Sequence, residues 1–220
     1  MISSYRPKKI VYLVRHGQSE DNAAPVFQSF TSPLSAKGKG QAGKVASRIE
    51  HLDFEVLISS TQERARQTAE AIELKTNKSI ELSDLFVERI KPKSIDGKSV
   101  NDTEASSVWR EWEKSLVTPG YKVEDGENYD GIVSRADKAL SYLQQRDEST
   151  LVVVSHGHFI RTLIARVLLG PELDSTSLRR FYDLISIENT GITVLHFRDA
   201  FEEPECWRLW SLNDHAHFAE

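Results

Sequence analysis

The chain has 220 residues, 39% of them apolar and 28% charged, the balance of a soluble globular protein with one large domain or two small ones. A net charge of −5 argues against a nucleic-acid surface, and a single cysteine, Cys206, excludes an intrachain disulfide and a cysteine metal cage. No stretch approaches the roughly 18 apolar residues of a membrane span, and the N-terminus does not read as a signal peptide, so a reducing cytoplasm is the expected compartment. A small anionic substrate stays compatible with all of this, because local charge in a cleft can oppose the net charge.

The first strand signal is the apolar run at 10–14, which ends abruptly in Arg15-His16-Gly17. A helical pattern follows over about 36–51. Its start, "GKGQAGK" (38–44), imitates a phosphate-binding loop, but no strand precedes it and Val45 stands where Ser or Thr is needed. A nucleotide-binding P-loop protein is therefore a poor alternative. A second buried strand at 55–58 leads into a helix at 62–73, with Arg64 in its first turn, where a cation opposes the helix dipole and a bound anion would compensate. A weaker strand near 79–82 and helices over 101–116 and 128–146 come next. The run at 151–154 then ends in Ser155-His156-Gly157 and passes at once into a helix over 158–168, stopped by Gly170-Pro171. Strands near 192–197 and 206–210 read as a closing edge hairpin, and His215 and His217 as tail residues without chemistry.

Continuous apolar strands alternating with helices imply a three-layer α/β/α sandwich with a mostly parallel central sheet. Such sheets bind ligands beyond the carboxyl ends of their strands. Three of those ends offer two histidines, two arginines and two helix N-termini, a set suited to phosphate. A neutral imidazole among those cations is also a competent nucleophile. His156-Gly157-His158 lacks a cysteine or carboxylate partner at ligand spacing, so no metal is expected there.

These residues resemble the histidine phosphatase superfamily, the phosphoglycerate mutase-like group. "RHGQSEDN" (15–22), "SSTQERARQTAE" (59–70) and "VVVSHGHFIR" (152–161) look like its three blocks in order, and "PLSAKGKGQA" (33–42) like the segment between the first two. The resemblance spans roughly residues 8 to 170. It implies that His16 becomes phosphohistidine, while Arg15, Arg64 and His156 bind the phosphoryl group with Asn22, Ser19 and Gly157 helping. It implies no metal and no cofactor. Glu88 in "LFVER" resembles the family's general acid, although the glycine that commonly follows is absent until Gly97, so Glu127 in "DGEN" stays as its rival. If Glu88 had no catalytic role, it would be an exposed carboxylate paired with Arg89.

The expected activity is metal-independent hydrolysis of a small phosphomonoester. Phosphoglycerate mutase-type transfer is the alternative, disfavoured because the mutases' segments after the acid are missing and Arg179-Arg180 falls too late. A binding module that has lost catalysis would lack one of the four core residues, and all are present. Residues 88–130 would form a lid within a single domain of 1–220. Lys91, Lys93 and Lys98 are available there for a second anion, and Trp112 is placed in the core by its spacing with Val108 and Leu116. The oligomeric state is open, a homodimer among the options.

Overall fold

The computed structural model describes residues 7–198 and 206–218. Among these, six strands form one sheet: β1 (Lys9–Arg15), β2 (Val56–Ser59), β3 (Ile80–Leu82), β4 (Thr150–Ser155), β5 (Ile192–Arg198) and β6 (Cys206–Asp214). Their order is β3-β2-β4-β1-β5-β6. The first four run parallel, while β5 and β6 are antiparallel to their neighbours. The mostly parallel sheet expected from the apolar runs is therefore present, with an antiparallel hairpin at one side. Only β6 is an edge there; β5 pairs with β1 as well.

The inner strands β1, β2 and β4 are mainly apolar because both of their faces are covered. On β1, Val11 and Leu13 enter one cluster with Ile132, Leu163 and Leu178, whereas Val14 enters the other with Val45, Ala65 and Ile72. The first face carries α4 (Tyr129–Gln145), α5 (Gly157–Leu169) and α6 (Ser175–Leu184), and the second carries α1 (Ala36–Ile49) and α2 (Glu63–Thr76). Truncating a fully buried residue such as Leu13 to alanine removes about 2–5 kcal/mol.

α6 was not foreseen from the sequence. Asp174 caps it, and Leu178 and Tyr182 bury its inner face. A third small cluster joins Phe27, Ile95 and Ala105 to Val108 and Trp109, so α3 (Thr103–Lys114) packs on the loop that follows β1. Trp112 is buried, as its spacing required, and its indole donates to the Glu127 carbonyl.

The glycine of Arg15-His16-Gly17 has a packing reason as well. A Cβ on Gly17 would lie 2.6 Å from the Gly38 carbonyl oxygen, and one on Gly38 would lie 1.9 Å from that of Gln18. The loop after β1 therefore presses backbone to backbone on the first turn of α1. That contact, rather than a phosphate, accounts for Gly38 in the P-loop look-alike.

Candidate active site

β1, β2 and β4 end side by side, and the residues beyond them converge. His16 is 2% exposed and its ring centre lies 4.8 Å from that of the fully buried His156. His16 Nδ1 is 2.6 Å from the Gly17 carbonyl oxygen. A carbonyl only accepts, so the proton sits on Nδ1 and the lone pair on Nε2. Arg64 Nε, which only donates, reaches that Nε2 at 3.2 Å. The atom with nucleophilic potential is thus fixed by two neighbours. Burial, reinforced by the charges of Arg64 and Arg15, pushes His16 well below the ordinary histidine range, so the ring is neutral.

Arg64 stands in the first turn of α2, as its sequence position indicated, and is 1% exposed. Its guanidinium also donates to the Ser29 carbonyl at 3.0 Å and to Gln62 Oε1 at 3.1 Å. Burial lowers its pKa to about 10, which leaves it charged. Arg15 donates to the Ile187 carbonyl, while its Nε is buried with no hydrogen-bond partner. Gly157 packs against it, where a Cβ would stand 3.4 Å from Arg15 Nε, an ordinary van der Waals distance. His156 Nε2 meets Ser60 Oγ at 2.8 Å, and its Nδ1 is likewise buried and unpartnered. Burial and the charge of Arg64 depress His156 too. Buried polar atoms left without partners are uncommon, and a bound anion would satisfy the Arg15 N–H.

Glu88 is not the exposed partner of Arg89. Its Oε1 accepts from the backbone N–H of Phe159 at 3.0 Å and of Arg89 at 3.0 Å. Its Oε2 accepts from the N–H of His158 at 3.2 Å and lies 3.4 Å from His158 Nδ1. The carboxylate therefore caps the start of α5 from another part of the chain. Burial alone would raise its pKa, but His158, His156 and Arg64 outweigh this and hold it well below the usual range. The Arg89 side chain instead stacks 3.8 Å over Trp112 and pairs with Glu113 at 3.0 Å.

Glu127 is bonded to Arg135 Nε at 2.8 Å and Nη2 at 2.7 Å. Arg135 in turn donates to the carbonyls of Leu85, Val87 and Glu88. Ser19 and Asn22 are paired with each other: the Ser19 N–H donates to Asn22 Oδ1 at 3.3 Å, and the Asn22 N–H to Ser19 Oγ at 3.2 Å. Ser19 is fully buried and Asn22 exposed, so Ser19 shapes the loop that presents Asn22.

Sequence reasoning missed three contributors. Gln62 Oε1 binds both Arg64 and the N–H of Glu88, linking α2 to the carboxylate. Thr68 Oγ1 accepts from the Gly17 N–H at 3.1 Å. Asn189 Nδ2 donates to the His16 carbonyl at 2.9 Å. Gln62 and Thr68 lie within the second family-like block, 59–70, whereas Asn189 lies outside all three. Among the described residues no three His, Cys, Asp or Glu side chains stand together as a metal site.

Comparison with known proteins places this geometry. The "Probable phosphoglycerate mutase GpmB" of Escherichia coli O1:K1 / APEC is 29% identical over 215 residues, covering 94% of each chain. The "Adenosylcobalamin/alpha-ribazole phosphatase" of Salmonella typhimurium is 28% identical over 168 residues, covering 73% of this chain and 80% of the other. Among solved structures, a phosphoserine phosphatase mutant from Entamoeba histolytica in complex with phosphoserine superposes with a TM-score of 0.73 at 26% identity, covering 96% of this chain and 99% of the other. The model of the histidine phosphatase superfamily (branch 1) matches residues 11–210. This chain belongs to the histidine phosphatase superfamily.

Proposed function

We propose that this histidine phosphatase hydrolyses small phosphomonoesters through a phosphohistidine on His16, with Arg15, Arg64 and His156 holding the phosphoryl group. The observation that carries the reading is the His16 ring, neutral and protonated on Nδ1, with its Nε2 lone pair among cations. In the first step Nε2 attacks phosphorus, the P–O bond to the leaving group breaks, and Glu88 gives the departing alkoxide its proton. In the second, Glu88 takes a proton from water, the oxygen attacks phosphorus, the N–P bond breaks and neutral His16 returns. Arg15 and Arg64 stabilise the equatorial oxygens, where guanidinium donors act most strongly.

Glu88 suits both proton transfers. Bound substrate brings negative charge beside it, which raises its pKa towards the protonated form required of an acid. Glu127, committed to Arg135, holds the clamp on residues 85–88. Gly157 packs beneath Arg15, and the Asn22 side-chain amide would add a donor to the substrate's phosphate.

The lid reading of residues 88–130 within one domain fits the contact of α3 with Phe27. Of Lys91, Lys93 and Lys98, however, two are paired, Lys91 with Asp96 at 2.6 Å and Lys93 with Asp125 at 3.5 Å. Arg179 pairs with Asp183 and Glu113. A mutase has to hold a second anionic group, so these pairings favour a hydrolase despite the likeness to GpmB. No helix among the described residues is long and apolar enough to cross a membrane, in keeping with a cytoplasmic enzyme of small phosphorylated molecules.

The test is hydrolysis of an aryl phosphate in excess EDTA, comparing wild type with His16→Ala. Turnover that survives EDTA and vanishes in the variant is expected. Activity persisting in His16→Ala would remove His16 from the chemistry. A folded wild type without turnover, but active on phosphoglycerate with bisphosphate, would favour the mutase.

A further inference from the structure

The C-terminal residues beyond β6 touch the turn that hydrogen-bonds to the backbone of Arg15 and His16. Residues 188–191 form the turn that enters β5, and they carry an unusual conformation. Thr190, β-branched and fully buried, has a φ of 64°. Such a residue in the left-handed region is a genuine outlier, and outliers of this kind persist only where their surroundings enforce them.

The enforcement comes from both sides. Towards β1, the Thr190 N–H donates to the Arg15 carbonyl at 2.8 Å, and the Arg15 N–H to the Gly191 carbonyl at 3.2 Å. Towards the C-terminus, Asn213 Oδ1 accepts from the Glu188 N–H at 2.8 Å, with Asn213 itself at a φ of 51°. Gly191 is pressed against this segment: a Cβ there would stand 2.2 Å from Asn213 Oδ1 and 3.0 Å from His215 Nε2.

The side chains continue the connection. The Thr190 hydroxyl donates to the Asn189 carbonyl at 2.6 Å, which leaves Oγ1 to accept from His217 Nε2 at 3.1 Å. Asn189 Nδ2 donates to the His16 carbonyl, and His16 Nδ1 donates to Gly17. Burial, with Arg48 beside it, lowers His217 to about 4, so its ring is neutral at ordinary pH. A neutral ring donating from Nε2 carries its lone pair on Nδ1.

We propose that His217 and Asn213, through the strained turn at Asn189-Thr190-Gly191, are positioning residues that fix the backbone of Arg15 and His16 for in-line attack. This rests on the proposed function of His16. A nucleophile displaced by a fraction of an ångström loses rate far more than binding. The C-terminal segment, without chemistry on its own sequence, is then part of the catalytic apparatus.

Three variants test this in the full chain. His217→Ala should lower kcat for an aryl phosphate about 10- to 100-fold while KM moves little. His217→Gln, which keeps a donor near the same place, should restore most of the rate. Thr190→Gly relieves the strained φ and deletes the hydroxyl, so it should preserve or raise Tm yet lower kcat. The His16 Nδ1–H resonance should shift in His217→Ala, an NMR readout that needs no turnover. If the wild type proves inactive, the function reading fails while this resonance still tests the positioning. If His217→Ala and Thr190→Gly retain kcat within about twofold and leave that resonance unmoved, the proposal is overturned. A lowered Tm with unchanged kcat in the folded enzyme would overturn it equally.

Discussion

The helices of this protein start in two different ways. Ser35, Asp102, Asn128 and Asp174 cap α1, α3, α4 and α6, each accepting from the N–H three residues on. α2 and α5 have no such bond from their own caps, Gln62 and His156. Gln62 reaches instead to Arg64 and Glu88, and His156 to Ser60. A helix start satisfied by its own cap has little left to offer. The start of α5 is satisfied from afar by Glu88, the side chain of the α2 cap turns to Arg64 and Glu88, and both starts flank His16. The difference separates helices that hold the fold from helices that assemble the site.

Breaking the remote cap should have the largest effect. Glu88→Gln keeps the shape but loses the charge and the transferable proton, and kcat should fall about 10²- to 10⁴-fold. The loss should be greatest for alkyl phosphates and shrink for aryl leaving groups of low pKa, which depart without protonation. A loss independent of the leaving group would assign Glu88 to capping alone.

The charge balance around these starts gives a pH signature of intermediate size. His16 and His156 are held well below the ordinary histidine value. As pH falls beneath about 6.5 the unfolded chain therefore takes up protons that the folded chain refuses, and stability drops. Each ring contributes a slope of up to about 1.4 kcal/mol per pH unit, extending down to its folded pKa. Glu88, also depressed, adds a loss in the same direction below about 4.5. Urea denaturation from pH 7 to 5 should show the slope, and His156→Asn should flatten it. An unchanged slope in the variant would mean that His156 takes its proton as readily folded as unfolded.

How much of this the sequence disclosed follows from what kind of signal each part leaves. β1, β2 and β4 were legible because burial on both faces leaves uninterrupted apolar runs, and Arg15, Arg64 and His156 stood out where those runs stop. α6 was passed over: its ten residues expose Arg180 and Leu184 and leave a thin apolar stripe. Asn189 and Thr190 left no signal at all. Their importance arises from the register of β5 on β1, which sets Ile192 opposite Val14 and so brings the preceding turn to Arg15. Pairing between segments this far apart in sequence is not written in either segment alone. Glu88 was found by resemblance, but its bond to the start of α5 was not, because a remote cap has no local spacing.

The smallest effect separates the two kinds of helix start most cleanly. Asp102 Oδ1 accepts from the Ala105 N–H at 2.9 Å at the head of α3, within the proposed lid. Asp102→Ala should cost about 1 kcal/mol of stability, the ordinary value of a local cap, and leave kcat unchanged. Both helices would then have lost one capping acceptor, yet only Glu88→Gln should affect turnover. If Asp102→Ala lowered kcat as well, α3 would have to move with the chemistry, and lid and site could no longer be treated as separable. Unfolding and turnover measured on the same preparation decide between these, since a purely local cap alters the first and not the second.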